Sequence, residues 1–240
     1  MTTTEEIKNV VLVHGAFADG SGWRRVYDLL TARGYRVSIV QNPLTSFADD
    51  VAATNRVLDA QDGPAILVGH SWGGTVITEA GVHPKVAGLV YVSALIPDVG
   101  ETSGQQYEGF AATPEFVIDI DDDGYGYLNR DAFHAGFAAD VNDADAAFLA
   151  DSQVPVNMAV FGEAVTVAAW RDKPSWAVIA TEDKAFDQAM LQHMASRIGA
   201  DITNVPGSHA LFITQAEAVA DVIATATNSA AKVAAEAGAR

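Results

Sequence analysis

The stretch that most constrains this chain is residues 65–83, Ala-Ile-Leu-Val-Gly-His-Ser-Trp-Gly-Gly-Thr-Val-Ile-Thr-Glu-Ala-Gly-Val-His. Its opening residues are apolar and follow an Asp62-Gly63-Pro64 break, the pattern of a buried strand, whereas from residue 72 onward apolar positions recur at helical spacing. Ser71 therefore falls on the corner between strand and helix. Gly69-His70-Ser71-Trp72-Gly73 fits G-x-S-x-G. A serine on so sharp a turn takes a strained backbone that lifts its hydroxyl above the sheet edge, and glycines two before and two after let strand and helix pass closely. The helix starting at Trp72 aims unpaired amide donors and the positive end of its dipole at the place where a carbonyl oxygen would gain charge. The Trp72 N–H is thus the first candidate oxyanion donor. Without chemistry, the same pattern is a glycine-rich strand end with a capping serine, and partners elsewhere must decide.

Along the chain, residues 9–13 read as a buried strand ending in His14-Gly15-Ala16-Phe17, and Ser21-Gly22-Trp23 opens a helix to about Arg33, stopped by Gly34. Strands follow at 35–40, 86–95, 175–181 and 201–205. Helices are expected from a Ser46 cap to about Ala60, with Val51, Val57 and Leu58 inward, at 187–198, and from Thr214 to about Thr225. Strands alternating with helices at this spacing imply an α/β fold with a parallel sheet covered on both faces. Residues 98–172 break the alternation. They are aromatic and acidic, and a segment of that length reads as an inserted, mainly helical cap with a short hairpin rather than a loop. Residues 226–240 read as a frayed helical tail, and 1–240 as a single domain.

A serine hydroxyl needs a base to take its proton, and the base needs a third group to hold it. Of six histidines, His14 and His70 sit at strand ends where a packed, hydrogen-bonded ring is expected, His83 and His193 fall on helices, and His134 lies in the cap. His209, in Val205-Pro206-Gly207-Ser208-His209-Ala210, follows the sixth strand. Parallel strands share one direction, so this loop emerges at the edge that carries Ser71. For the acid, that edge offers Asp183 after the fifth strand, then Asp98 after the fourth, then Glu182. Asp183 ranks first because it keeps the chain order Ser, Asp, His. Lys184 could pair with either neighbouring carboxylate. The second oxyanion donor is expected in the loop after the first strand, at the Ala16 N–H.

Composition narrows the classes. The 240 residues have no cysteine, which excludes disulfides and thiolate metal sites, and a formal charge of −17, which opposes nucleic acid, anionic membranes and anionic substrates. The polar N-terminus, Met-Thr-Thr-Thr-Glu-Glu, and a first apolar run too short for a span point to a cytoplasmic protein. Asp119-Ile120-Asp121-Asp122-Asp123-Gly124 begins like a calcium-binding loop, but its twelfth position is Arg130 where a bidentate Glu is needed, so an acidic hairpin turn is expected and no metal.

With these residues in place, the sequence resembles the α/β-hydrolase superfamily, within it the small esterase and hydroxynitrile lyase group that includes plant methyl salicylate esterases and many bacterial carboxylesterases. The carriers are Val-Leu-Val-His-Gly-Ala at 11–16 with Trp23, Gly-His-Ser-Trp-Gly-Gly at 69–74, Tyr-Val-Ser-Ala-Leu-Ile-Pro-Asp at 91–98, Pro-Ser-Trp-Ala-Val-Ile-Ala-Thr-Glu-Asp-Lys at 174–184 and Gly-Ser-His-Ala at 207–210. The resemblance implies an α/β-hydrolase fold with a mostly parallel six-stranded sheet, Ser71 as nucleophile, His209 as base, Asp183 as acid, and Ala16 and Trp72 as oxyanion donors. The lyases resemble this chain but carry a lysine and a threonine where it has Ala210 and Gly15, so ester hydrolysis is favoured over cyanohydrin cleavage. The expected activity is a cofactor-independent serine carboxylesterase acting on small neutral or aromatic esters, with Phe17, Trp72, Leu95 and Phe212 lining the pocket. Lactone opening, perhydrolysis, or a small-molecule receptor with a vestigial triad are the alternatives. The expected partner is the ester, with neither nucleic acid nor membrane, and a homodimer is left open.

Overall fold

A computed structural model describes residues 6–238. Its central sheet has six strands in the order β2-β1-β3-β4-β8-β9, every neighbouring pair parallel. These are β1 (Asn9–Val13), β2 (Arg36–Val40), β3 (Ala65–His70), β4 (Val86–Val92), β8 (Ser175–Ala180) and β9 (Asp201–Val205). All residues of β1 and β3 are buried, as in strands covered on both faces, while the edge strands β2 and β9 keep exposed positions.

Right-handed crossovers decide which face each helix takes. The step from β1 to β2 runs one way across the sheet, and the steps from β2 to β3, β3 to β4 and β8 to β9 run the other. Helix α1 (Arg24–Ala32) therefore lies opposite α2 (Phe47–Asp59), α3 (Trp72–Ala80) and α6 (Gln188–Arg197). Beside α1 packs α8 (Ala216–Gly238), preceded by the single turn α7 (Leu211–Thr214). The strand order reverses between β1 and β3, and at such a switch point the two flanking loops diverge to leave a crevice. Those loops carry Gly15-Ala16 and Ser71.

Boundaries differ from the sequence reading in three places. The fourth strand ends at Val92 rather than Leu95, because Ser93 turns into a positive φ of 38° and its Oγ accepts the Ala180 N–H. The first helix begins as a 3-10 turn, Gly20–Trp23, capped by Asp19. Residues 226–238 continue α8, and Ala226, Thr227, Ala230 and Ala231 are buried, so this stretch packs as part of the helix. The N-terminal residues 1–5 and residues 239–240 lie outside the described residues. No helix among the described residues is long and apolar enough to cross a membrane.

The inserted segment between β4 and β8 contains α4 (Arg130–Phe137), α5 (Asp143–Asp151) and a small antiparallel sheet of β5 (Ile118–Ile120), β6 (Tyr125–Leu128) and β7 (Val156–Asn157). The acidic run at 119–124 forms the β5–β6 turn. There Asp121 Oδ1 accepts the N–H groups of Asp123 and Tyr125, which spends its lone pairs on the backbone. One backbone bond ties this segment to the core beside His209, from the Ala210 N–H to the Phe137 carbonyl at 3.0 Å.

Candidate active site

Ser71 is the single residue between β3 and α3, with φ 54° and ψ −121°. A side chain is strained there, so the surroundings must hold it. The Ser71 N–H donates to the Val92 carbonyl at 3.3 Å, and its own carbonyl accepts from Gly74 N at 3.0 Å and Leu95 N at 3.1 Å. The glycines give the close approach that the motif requires. A Cβ on Gly69 would stand 2.4 Å from the Gly73 carbonyl oxygen, and one on Gly73 2.7 Å from that of Val13.

The loop after β1 comes equally near, since a Cβ on Gly15 would stand 2.8 Å from Ser71 Cβ. Buried His14 fixes its orientation. The His14 Nε2 accepts the Asn42 N–H at 2.9 Å, so Nδ1 carries the proton and donates to the Gly15 carbonyl at 2.8 Å. That carbonyl shares a rigid peptide plane with the Ala16 N–H, which must point the opposite way. On the other flank, the Trp72 N–H opens α3 and has no intrahelical acceptor. The two expected oxyanion donors thus stand on either side of Ser71.

Asp183, beyond the end of β8, and His209, beyond the end of β9, meet at the same edge. The His209 Nδ1–H donates to Asp183 Oδ2 at 2.8 Å, and Asp183 Oδ1 accepts the N–H groups of Ala185 at 2.8 Å and Phe186 at 2.9 Å. Both side chains are 0% exposed, which keeps water from competing for these bonds. With Nδ1 protonated, Nε2 carries the lone pair. It is buried and has no hydrogen-bond partner among the described residues, and the Ser71 hydroxyl does not engage it in this conformation. Such bonds are often long or open before substrate binds.

Four rings pack around the His209 imidazole, His70 at 4.5 Å, Phe186 at 4.8 Å, Phe137 at 5.2 Å and Phe116 at 6.3 Å. His70 is also bonded to this loop, its Nε2–H donating to the His209 carbonyl at 2.9 Å. Burial, then the neighbouring His209, pushes the His70 pKa well below the ordinary histidine value, so it serves as a neutral strut. Burial likewise lowers that of His14.

The other candidate acids are elsewhere. Asp98 is paired with Arg171, whose Nε lies 2.9 Å from Oδ1, and that guanidinium holds its pKa below the usual range. Glu182 is exposed, and Lys184 pairs with Glu115 of the inserted segment rather than with its own neighbours.

Ser71 opens into a cavity of about 480 Å³ lined mainly by apolar and aromatic groups. Phe17, Trp72 and Leu95 line it as expected, and Phe212 does not. The Phe212 ring is wedged between Trp23 at 5.0 Å and His70 at 4.5 Å, on the far side of the histidines, because α7 turns back toward the 3-10 turn before α1. The wall includes Phe186 and Met158, which sequence reasoning missed. Phe186 was findable, since it lies three residues past Asp183 on the same loop.

Residues 10–222 match the model of the alpha/beta hydrolase family. Over 111 residues, 40% of this chain, it is 33% identical to the pyrethroid hydrolase of Sphingobium wenxiniae, and the match covers 39% of that protein. Over 151 residues, 54% of this chain, it is 28% identical to Methylesterase 2 of Arabidopsis thaliana, covering 56% of it. The chain thus aligns with about half or less of the length of these relatives. In three dimensions it matches the crystal structure of a pyrethroid hydrolase from Sphingobium faniae with a TM-score of 0.80 at 23% identity, over 94% of this chain and 99% of that one, which shows a shared fold. The six-stranded parallel sheet, the serine elbow between β3 and α3 and the family match over most of the sequence place this chain in the alpha/beta hydrolase family.

Proposed function

We propose that this protein is a serine carboxylesterase that hydrolyses small, neutral, apolar or aromatic esters through an acyl-enzyme. The observation that carries the reading is the sealed Asp183–His209 pair, whose imidazole packs against Phe186 and Phe116, two walls of the apolar cavity into which Ser71 opens. The His209 Nε2 takes the Ser71 proton as Oγ attacks the ester carbonyl, and the oxyanion that forms is held by the Ala16 and Trp72 N–H groups. The imidazolium, stabilised by Asp183, hands its proton to the leaving alcohol. Water, deprotonated by His209, then releases the acid and restores Ser71.

One relative is an esterase by name and another a hydrolase, and the cavity suits ester hydrolysis. Apolar and aromatic residues make up most of its lining, and its one charged residue among those described, Asp187, is an anion, so an uncharged apolar substrate fits better than an anionic one. Turnover of short-chain p-nitrophenyl esters by wild type and Ser71→Ala is the test. The variant should lose at least about 10³-fold in kcat/KM. Wild type no faster than the variant across acyl chains of two to eight carbons would overturn the proposal.

A further inference from the structure

Asp50 is a buried carboxylate that the chemistry above leaves without a task. It lies in the first turn of α2 and is 0% exposed. The charged groups that bear on it are Asp49 of its own helix and Glu163 of the inserted segment, both acidic. A carboxyl group in such surroundings is costly to keep ionised, and so needs an explanation.

One of its oxygens holds a residue of the cavity wall, and the other holds the turn behind that wall. Asp50 Oδ2 accepts the indole N–H of Trp72 at 2.8 Å, and Oδ1 accepts the Leu44 backbone N–H at 2.8 Å. Trp72 lines the cavity, its ring seated between Phe161 at 5.2 Å and Phe47 at 5.7 Å, both edge-on. Leu44 holds a positive φ of 58°. Its carbonyl accepts the Asn157 N–H at 2.9 Å, next to Met158 of the cavity wall. One carboxylate thus connects the core side of the pocket with the inserted side.

We propose that Asp50 is a positioning residue for the ester pocket, fixing the Trp72 indole and the Leu44 turn so that both walls of the cavity keep one shape. The inference rests on the esterase reading for its kinetic consequence and on geometry alone for the structural one. An ionised carboxylate offers two good acceptors to two facing donors. An amide in its place offers one acceptor and turns an N–H₂ toward the other donor. Protonation has a similar effect, because it sets an O–H against one of the two N–H groups. Burial, partly offset by the Trp72 and Leu44 bonds, raises the Asp50 pKa to about 6. The Trp72 wall is then ordered above that pH and loosened below it.

Two readouts test this on the whole chain. Kinetically, Asp50→Asn should raise KM for a p-nitrophenyl ester about five- to tenfold with kcat within about twofold, since the loss is in binding apolar substrate while the α3 backbone donor stays in place. Wild-type KM should rise on going from pH 7.5 to pH 5.5, and that of Asp50→Asn should stay level. Spectroscopically, and without any turnover, the fluorescence difference between wild type and Trp72→Phe should titrate with a midpoint near pH 6. Between Asp50→Asn and the Asp50→Asn, Trp72→Phe double variant the same difference should be flat. A wild-type difference that is flat from pH 5 to 8, a difference that titrates equally without the carboxylate, or an unchanged KM in Asp50→Asn would overturn the proposal. If Asp50→Asn does not fold, the wild-type and Trp72→Phe titration decides alone. A chain that turns over no ester yet shows the fluorescence titration would refute the esterase reading and leave the role of Asp50 standing.

Discussion

Three buried ionisable side chains near the pocket respond to acid in opposite directions, and the sign of each can be worked out. His14 and His70 have lowered pKa values because burial disfavours the imidazolium. Below about pH 6.5, the ordinary histidine value, the unfolded chain takes up protons that the folded chain refuses, so stability falls as pH falls. Asp50, raised to about 6, binds its proton more readily folded than unfolded, so between about pH 6 and 3.8 it offsets part of that loss. Both histidines begin to lower stability at a pH above the range in which Asp50 starts to offset the loss. Thermal melts should therefore show a lower Tm at pH 5 than at pH 7.5, with a smaller drop in His70→Gln. A Tm that holds level or rises over that range would mean that at least one of these rings is charged in the folded chain.

At the level of elements, the loop after β1, proposed to hold the oxyanion, and the serine elbow touch through glycine, and the contact leaves no slack. Adding a methyl group at Gly15 brings a Cβ to 2.8 Å from Ser71 Cβ and 3.1 Å from His70 Nδ1. The loop or the elbow must shift by several tenths of an ångström, and displacements approaching 1 Å at a reacting centre cost on the order of 10²-fold in rate. Gly15→Ala should lower kcat about tenfold or more with little loss of thermal stability. An unchanged kcat would show that Ala16 does not serve the oxyanion. How much of this could be read in the sequence follows from how local each signal is. The elbow was legible because strand, glycines and helix start all lie within residues 65–83. Strands β1, β3, β4 and β8 were legible from their apolar runs. Asp183 and His209 could be placed at the Ser71 edge because parallel strands share a direction. Asp50 was hidden, since on a helix whose expected inward residues were Val51, Val57 and Leu58 an aspartate in the first turn reads as a partner of the helix dipole. Only the pairing across to Trp72 gives it meaning. Phe212 misled for the converse reason, because an aromatic three residues after His209 is free to face either side of it.

Considered as a whole, the molecule sets a strongly acidic chain around a mainly apolar pocket whose one charged lining residue among those described is Asp187. The formal charge of −17 repels anions at long range, and added salt screens that repulsion within about 10 Å at 0.1 M. Hydrolysis of an ester bearing a free carboxylate should therefore speed up in kcat/KM as sodium chloride rises from 10 to 300 mM, while a neutral ester of the same shape changes little. Equal responses would place the discrimination inside the cavity rather than in the field of the surface.

The bond from the Ala210 N–H to the Phe137 carbonyl has a practical consequence for anyone recombining this scaffold. Residues 98–172 are not an interchangeable lid that could be swapped while the proposed Asp183–His209 pair stays put. They supply one of the anchors that seat the imidazole loop, together with the Phe137 ring against His209. A graft from another hydrolase that lacks a carbonyl and an aromatic at those points would shift the His209 ring along with the pocket, so on the proposed mechanism a chimera screened for new specificity should lose rate first.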